Sequence, residues 1–142
     1  ADFELDRRYF EYISSLARSS GSSFLEGYTR ILIDSANLRS AVRTVRMGKD
    51  SAFMHSALVP GGSVSEDAMV KAAESGEALA AAFNATLLEG AAQLGAQAMR
   101  GGTMTAFELA CDNAVAAYLS GAKLIPFGAE PVAEYLSSSR AR

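Results

Sequence analysis

Few residues of this sequence combine a reactive side chain with a spacing that could do chemistry. Asp34 and Asn37 stand three apart inside the apolar run Ile31–Leu38, and on a helix that spacing puts them on one face. A carboxylate in such a run costs several kcal/mol unless it is paired or hydrogen-bonded. Arg30, one turn earlier, is placed to reach Asp34 along the helix. Two readings follow. Asp34, Asn37 and Arg30 form a structural polar cluster that fixes helix register or caps a neighbouring loop, or Asp34 is a catalytic or ion-binding carboxylate. The first is favoured, because no second acid sits nearby in sequence to share a proton or a metal.

The remaining candidates are weaker. His55 is the one histidine and has no second His or Cys to complete a metal site. A lone His in a short helix reads as a half-exposed packing residue. Cys111 falls at core spacing with Phe107, Val115 and Tyr118, the setting of an inert buried thiol rather than of an open, electropositive nucleophile. Gly61-Gly62-Ser63 and Gly101-Gly102-Thr103 each precede a helix start and could cradle a phosphate. Neither follows a strand or precedes a Lys, so both read as plain helix-to-helix turns. The phosphate-loop pattern and the paired-histidine zinc pattern are missing. No cofactor, metal or direct nucleotide site is expected.

The elements that must position these residues are helices. Phe24–Met47 is the longest helical stretch. Phe24, Leu25, Tyr28, Ile31, Leu32, Ser35, Leu38, Val42 and Val45 occupy one broad arc at the spacing of a buried face. Ile33, Ala36, Ser40, Ala41 and Thr44 make the opposite side small and nearly neutral, where a surface helix carries Lys and Glu. Neighbours are therefore expected on more than one side, with this rod at the centre. Arg39, Arg43 and Arg46 sit at its C-terminal end, the sign that the helix dipole favours.

A first helix is expected over about Asp2–Arg18, with Leu5, Tyr9, Tyr12, Ile13 and Leu16 on its inner face. Gly21 and Gly48 serve as terminators. Asp50 caps a helix Ser51–Leu58, and Ser65 caps one that ends near Gly76. Glu77–Met99 reads as helical with breaks at Asn84 and Gly90. Thr105-x-x-Glu108 reads as a capping box for a helix that ends at Gly121. Pro131 suits the first position of a last helix, Val132–Leu136. No stretch keeps the period-2 alternation of a strand. The fold class is all-α, a multi-helical bundle around a central long helix, in one domain.

With 142 residues the chain is long enough for one domain with a sizeable core. A net charge of -3 argues against a nucleic-acid partner. One cysteine excludes an internal disulfide and fits a reducing compartment. No apolar run reaches membrane-spanning length. The chain opens at Ala1 and closes on Ser137-Ser138-Ser139-Arg140-Ala141-Arg142, which suggests an internal fragment of a longer protein.

Near the end, Ile125, Pro126, Phe127, Gly128, Glu130 and Pro131 form a restrained corner, with Phe127 as an apolar anchor. Glu130 can accept from the first amides of the helix that Pro131 opens. The corner either packs Phe127 into the core or offers an exposed docking point.

Several blocks follow one another in a fixed order: Leu5-Asp6-x-x-Tyr9-Phe10; Ile33-Asp34-x-x-Asn37-Leu38 running to Arg43 and Arg46-x-Gly48-Lys49-Asp50; Leu58-Val59-Pro60-Gly61-Gly62-Ser63; and Ile125-Pro126-Phe127-Gly128-x-Glu130-Pro131-Val132-x-x-Tyr135-Leu136. Together they resemble the C-type subunit of the V-type and A-type ATP synthases, the family related to the d-type subunit of the eukaryotic V-ATPase. Family members often carry a proline where this chain has Ala129. They also continue into a longer charged segment where this chain has its serine-arginine end.

The resemblance implies a non-catalytic, all-helical socket. It would receive the D and F subunits of the central stalk, sit on the proteolipid rotor ring, and pass rotation between them for ion transport. The protein would then be cytoplasmic and peripheral to the membrane, as part of a membrane-bound complex. Glu77–Met99 would be its most deformable part. Two alternatives stand beside this reading: a free-standing helical interaction or regulatory module, and an enzyme on a helical scaffold that uses Asp34, Glu130 or His55.

Overall fold

The computed structural model describes residues 2–122, with side chains over residues 7–121. The corner Ile125–Pro131 and the helix expected at Val132–Leu136 lie outside the described residues. Among the described residues seven helices follow one another: α1 (Asp2–Ser20), α2 (Ser23–Arg46), α3 (Ser51–Ala57), α4 (Glu66–Ala72), α5 (Gly76–Ala82), α6 (Glu89–Met99) and α7 (Met104–Ala122). No strand occurs among the described residues, so the chain is all-α.

Short polar residues start most of these helices. The hydroxyls of Ser22, Ser65 and Ser75 and the carboxylate of Asp50 each accept a hydrogen bond from an amide in the first turn of α2, α4, α5 and α3 respectively. Gly48, at φ 71°, turns the chain out of α2.

The long helix α2 is enclosed as its unusual composition predicts. Ile33, Leu38, Ala41 and Val42 have no exposed surface, although they point to different sides of the helix. Helices α1, α3, α4, α6 and α7 all pack against α2. Full burial of each Leu, Ile or Val stabilises by roughly 1.5–3 kcal/mol, so this one helix organises the core. Gly27, costly in a helix interior, has a packing reason. A Cβ there would overlap the Tyr118 hydroxyl and lie 3.0 Å from its Cζ, so glycine lets α2 and α7 approach closely. Tyr118 donates from its hydroxyl to the Phe24 carbonyl at 2.7 Å and stacks on the Phe24 ring.

Four expectations need correction. Tyr9, Tyr12 and Leu16 are 57%, 64% and 51% exposed. The covered side of α1 is formed by Phe10, Ser14 and Ala17 together with the expected Ile13, and Arg7 of the same helix reaches the Leu58 carbonyl. The helix expected to end near Gly76 stops at Ala72. Ser75 then caps a new helix that begins at Gly76 itself. Gly90 does not break the chain, since it lies inside α6, whereas the break near Asn84 is present. Thr105 is not a cap. Helix α7 begins one residue earlier, and Glu108 faces Arg43, whose guanidinium donates to both of its oxygens at 2.7 and 3.2 Å.

Candidate functional site

The two most polar positions of the core converge on one loop. Asn37, 1% exposed, donates from Nδ2 to the Val59 carbonyl and accepts from the Val59 amide on Oδ1, both at 2.8 Å. One turn away, Asp34 accepts on Oδ1 from the amides of Ser63 at 2.8 Å and Val64 at 3.4 Å. Arg7 of α1 donates to the Leu58 carbonyl at 2.6 Å and lies 3.6 Å from Glu66. The segment between α3 and α4 is thus tied at both ends to α2 and at one end to α1. The i, i+3 spacing places the two side chains on the helix face that meets this loop.

The glycines of the loop make that closeness possible. Gly61 has φ 110°, open to glycine but rarely to other residues. A Cβ on Gly62 would overlap the Asp34 carboxylate and lie 3.2 Å from Ile33 Cγ2. Asp34 and Gly62 are therefore a matched pair.

The electrostatics follow from burial. Loss of water raises the Asp34 carboxyl above its usual range. The hydroxyl and amide of Ser63, the Val64 amide and the more distant Arg30 charge pull it the other way, Arg30 least. Arg30 itself is exposed and makes no ion pair with Asp34, which corrects the expected helical pairing. The carboxylate prefers two nearby backbone amides to a long side chain that would have to leave water.

Asp34 also floors an open groove of about 420 Å³ that Ile31, Val64, Phe83, Leu87 and Tyr118 help to line. Cys111 is fully buried, and desolvation pushes its thiol up to about 11. That holds it as the unreactive thiol at neutral pH. The Ser35 hydroxyl has no nitrogen or oxygen partner, and this thiol is its polar neighbour. His55 is exposed, with Nε2 3.1 Å from Asp67. No group of three or more metal-ligating side chains gathers among the described residues.

Sequence spacing puts Asp34 and Asn37 on one helix face and gives no sign of Arg7, Val59 or the Ser63 and Val64 amides. Their roles depend on which loop α2 meets, and no local spacing encodes that. Arg46 is more than the dipole partner that its position suggests: it donates to the Ala98 and Gly102 carbonyls at 2.7 and 2.8 Å, closing the C-terminal end of α6. Ile125, Pro126, Phe127, Gly128, Glu130 and Pro131 lie outside the described residues.

Two of the separated sequence blocks, Ile33–Leu38 and Leu58–Ser63, thus touch, and the contacts are made by their most distinctive residues. No curated protein and no solved structure matches the chain. The family model of the ATP synthase (C/AC39) subunit matches residues 1–140. That match spans nearly all of the sequence, and the chain belongs to the C/AC39 subunit family, a non-catalytic component of the V/A-type rotary ATPases.

Proposed function

We propose that the chain forms part of a central-rotor coupling subunit, joining the D and F subunits of the central stalk to the proteolipid ring. In this role it transmits torque and leaves ATP chemistry to other subunits. The observation that carries the reading is the family match over residues 1–140. The clamp adds physical support. A coupling element must not yield under load, and Asn37 and Asp34 cross-link a surface loop to the most enclosed helix with four hydrogen bonds. Each such bond contributes about 1 kcal/mol net, and the cost of breaking one inside the core is larger. The polar cluster is on this reading a structural stiffener.

No helix among the described residues is long and apolar enough to cross a membrane, which agrees with a peripheral place on a membrane-bound complex. The test is reconstitution of the full-length protein with the D and F stalk subunits and with the isolated ring. Co-elution with both is expected, and binding to neither would end the rotor reading.

A further inference from the structure

The groove above Asp34 combines a buried charge with apolar walls. Its volume is about 420 Å³, and Ile31, Val64, Phe83 and Leu87 supply much of the lining. Among the described residues, only Asp34 and Arg30 bring charge to it. Asp34 is 6% exposed, whereas Arg30 is exposed and makes no ion pair with the carboxylate. An ionised carboxylate deprived of water in apolar surroundings is costly, and a cation brought to it offsets that cost.

The hydrogen bonds already made decide which cation fits. Both backbone amides, from Ser63 at 2.8 Å and Val64 at 3.4 Å, meet the same oxygen, Oδ1. The Ser63 hydroxyl is the remaining donor. A carboxylate offers about four acceptor positions, so there is room for one more. A guanidinium needs both oxygens for its two parallel bonds, and Oδ1 is taken. An ammonium is a point charge that needs one, and the four-carbon stem of lysine suits apolar walls. The groove is open, with Leu87 53% exposed, so the backbone that carries such a stem can stay outside. A small-molecule site would instead enclose most of its ligand. The chain belongs to a family of subunits of a larger complex, which supplies partner proteins.

We propose that this groove is the slot for one lysine side chain of a partner protein, with the stem against Ile31, Val64 and Leu87 and the ammonium on the Asp34 carboxylate. Arg30 lines the same groove and opposes a cationic guest, so it moderates the affinity of the slot. The inference rests on membership of a complex and not on the rotor role.

NMR titration of the intact chain with N-acetyl-lysine N-methylamide tests the slot. The amide signals of Val64 and Phe83 are expected to shift saturably. The norleucine counterpart has the stem without the charge and should bind at least about tenfold more weakly. The arginine counterpart should also bind more weakly than lysine. Asp34→Asn can still accept from the Ser63 amide, and it should weaken lysine binding at least about tenfold. Arg30→Gln changes an exposed side chain and should tighten it about threefold. If Asp34→Asn disturbs the α2 amide signals, the Arg30→Gln response decides.

The same variants in the full-length protein test the partner. On reassembly with the other subunits of its complex, Asp34→Asn should lower the affinity and Arg30→Gln raise it. Four results would overturn the proposal: no saturable shift with the lysine amide, norleucine or arginine bound as tightly as lysine, an Arg30→Gln variant that binds lysine no more tightly, or reassembly indifferent to Asp34→Asn, which would make the occupant a free amine. Failure of the parent protein to bind stalk and ring would sink the rotor reading, and the lysine titration would still judge the slot.

Discussion

Asn37 and Val59 form a reciprocal pair: the side-chain amide of one donates to and accepts from the backbone of the other, at 2.8 Å in each direction. Asparagine here does what a neighbouring strand would do, satisfying both polar groups of a residue that is 5% exposed. Replacing Asn37 by Leu removes both partners and leaves two buried groups unpaired. The expected loss is about 2–4 kcal/mol of unfolding free energy, read by urea denaturation. Asn37→Asp keeps the acceptor and sets a carboxylate against the Val59 carbonyl, so it should lose stability at neutral pH and recover part of it in acid. An Asn37→Leu variant as stable as the parent would mean that the pair contributes nothing.

Asp34 predicts a pH dependence of defined sign. Its carboxyl titrates higher in the folded chain than in the unfolded one, chiefly through desolvation. The folded state therefore holds the proton more tightly, and this group's favourable contribution is present below its unfolded value of 3.8 and is lost as pH rises through the folded value. Asp34→Asn does not titrate and can still accept from the Ser63 amide. Its stability relative to the parent should rise across that window and then level off. A difference between the two that stays flat from acid to neutral pH would show that Asp34 is not desolvated. Asp34→Leu should be tolerated better than Asp34→Ala, because both lose the amide bonds and only Leu keeps the volume.

Gly62→Ala should act through Asp34. The added Cβ displaces the carboxylate from the Ser63 amide, at an expected cost of about 1–3 kcal/mol. In a double-mutant cycle with Asp34→Ala the two costs should be strongly less than additive, because the obstructed carboxylate is already gone. Additive losses in chemical denaturation would separate the loop glycine from the clamp.

Ala85 is the one described non-glycine residue at positive φ, 63°. Its amide donates to the Glu89 carboxylate at 2.8 Å, which holds the turn between α5 and α6. Left-handed backbone costs an L-residue about 1–2 kcal/mol, and glycine escapes that cost while giving back some unfolded-state entropy. Ala85→Gly should therefore stabilise by about 0.5–1 kcal/mol, seen as a rise in Tm of a few degrees. A fall in Tm would place the strain elsewhere.

Much of the fold is local physics and is legible in the residues. The apolar arc of Phe24–Met47 and its uncharged far side both specify a helix enclosed by neighbours, and α2 is one. Asp50 and Ser65 mark helix starts because a short side chain bonds amides two or three residues on, whatever lies further away. The all-α class, and the ordered blocks that resemble the C/AC39 family, needed nothing beyond the order of residues.

Tertiary structure decided the rest, and the reason is the same in each case. Periodicity states which residues share a side of a helix and not which side is covered, so the aromatic flank of α1 reads as core and lies open. Glu108 reads as half of a capping box and serves Arg43 instead, a partner 65 positions away. Arg30 stands one turn from Asp34, yet the carboxylate bonds to amides 29 and 30 residues further on. A buried charge takes whichever donors the packed chain brings within about 3 Å, and sequence distance sets no limit on that choice.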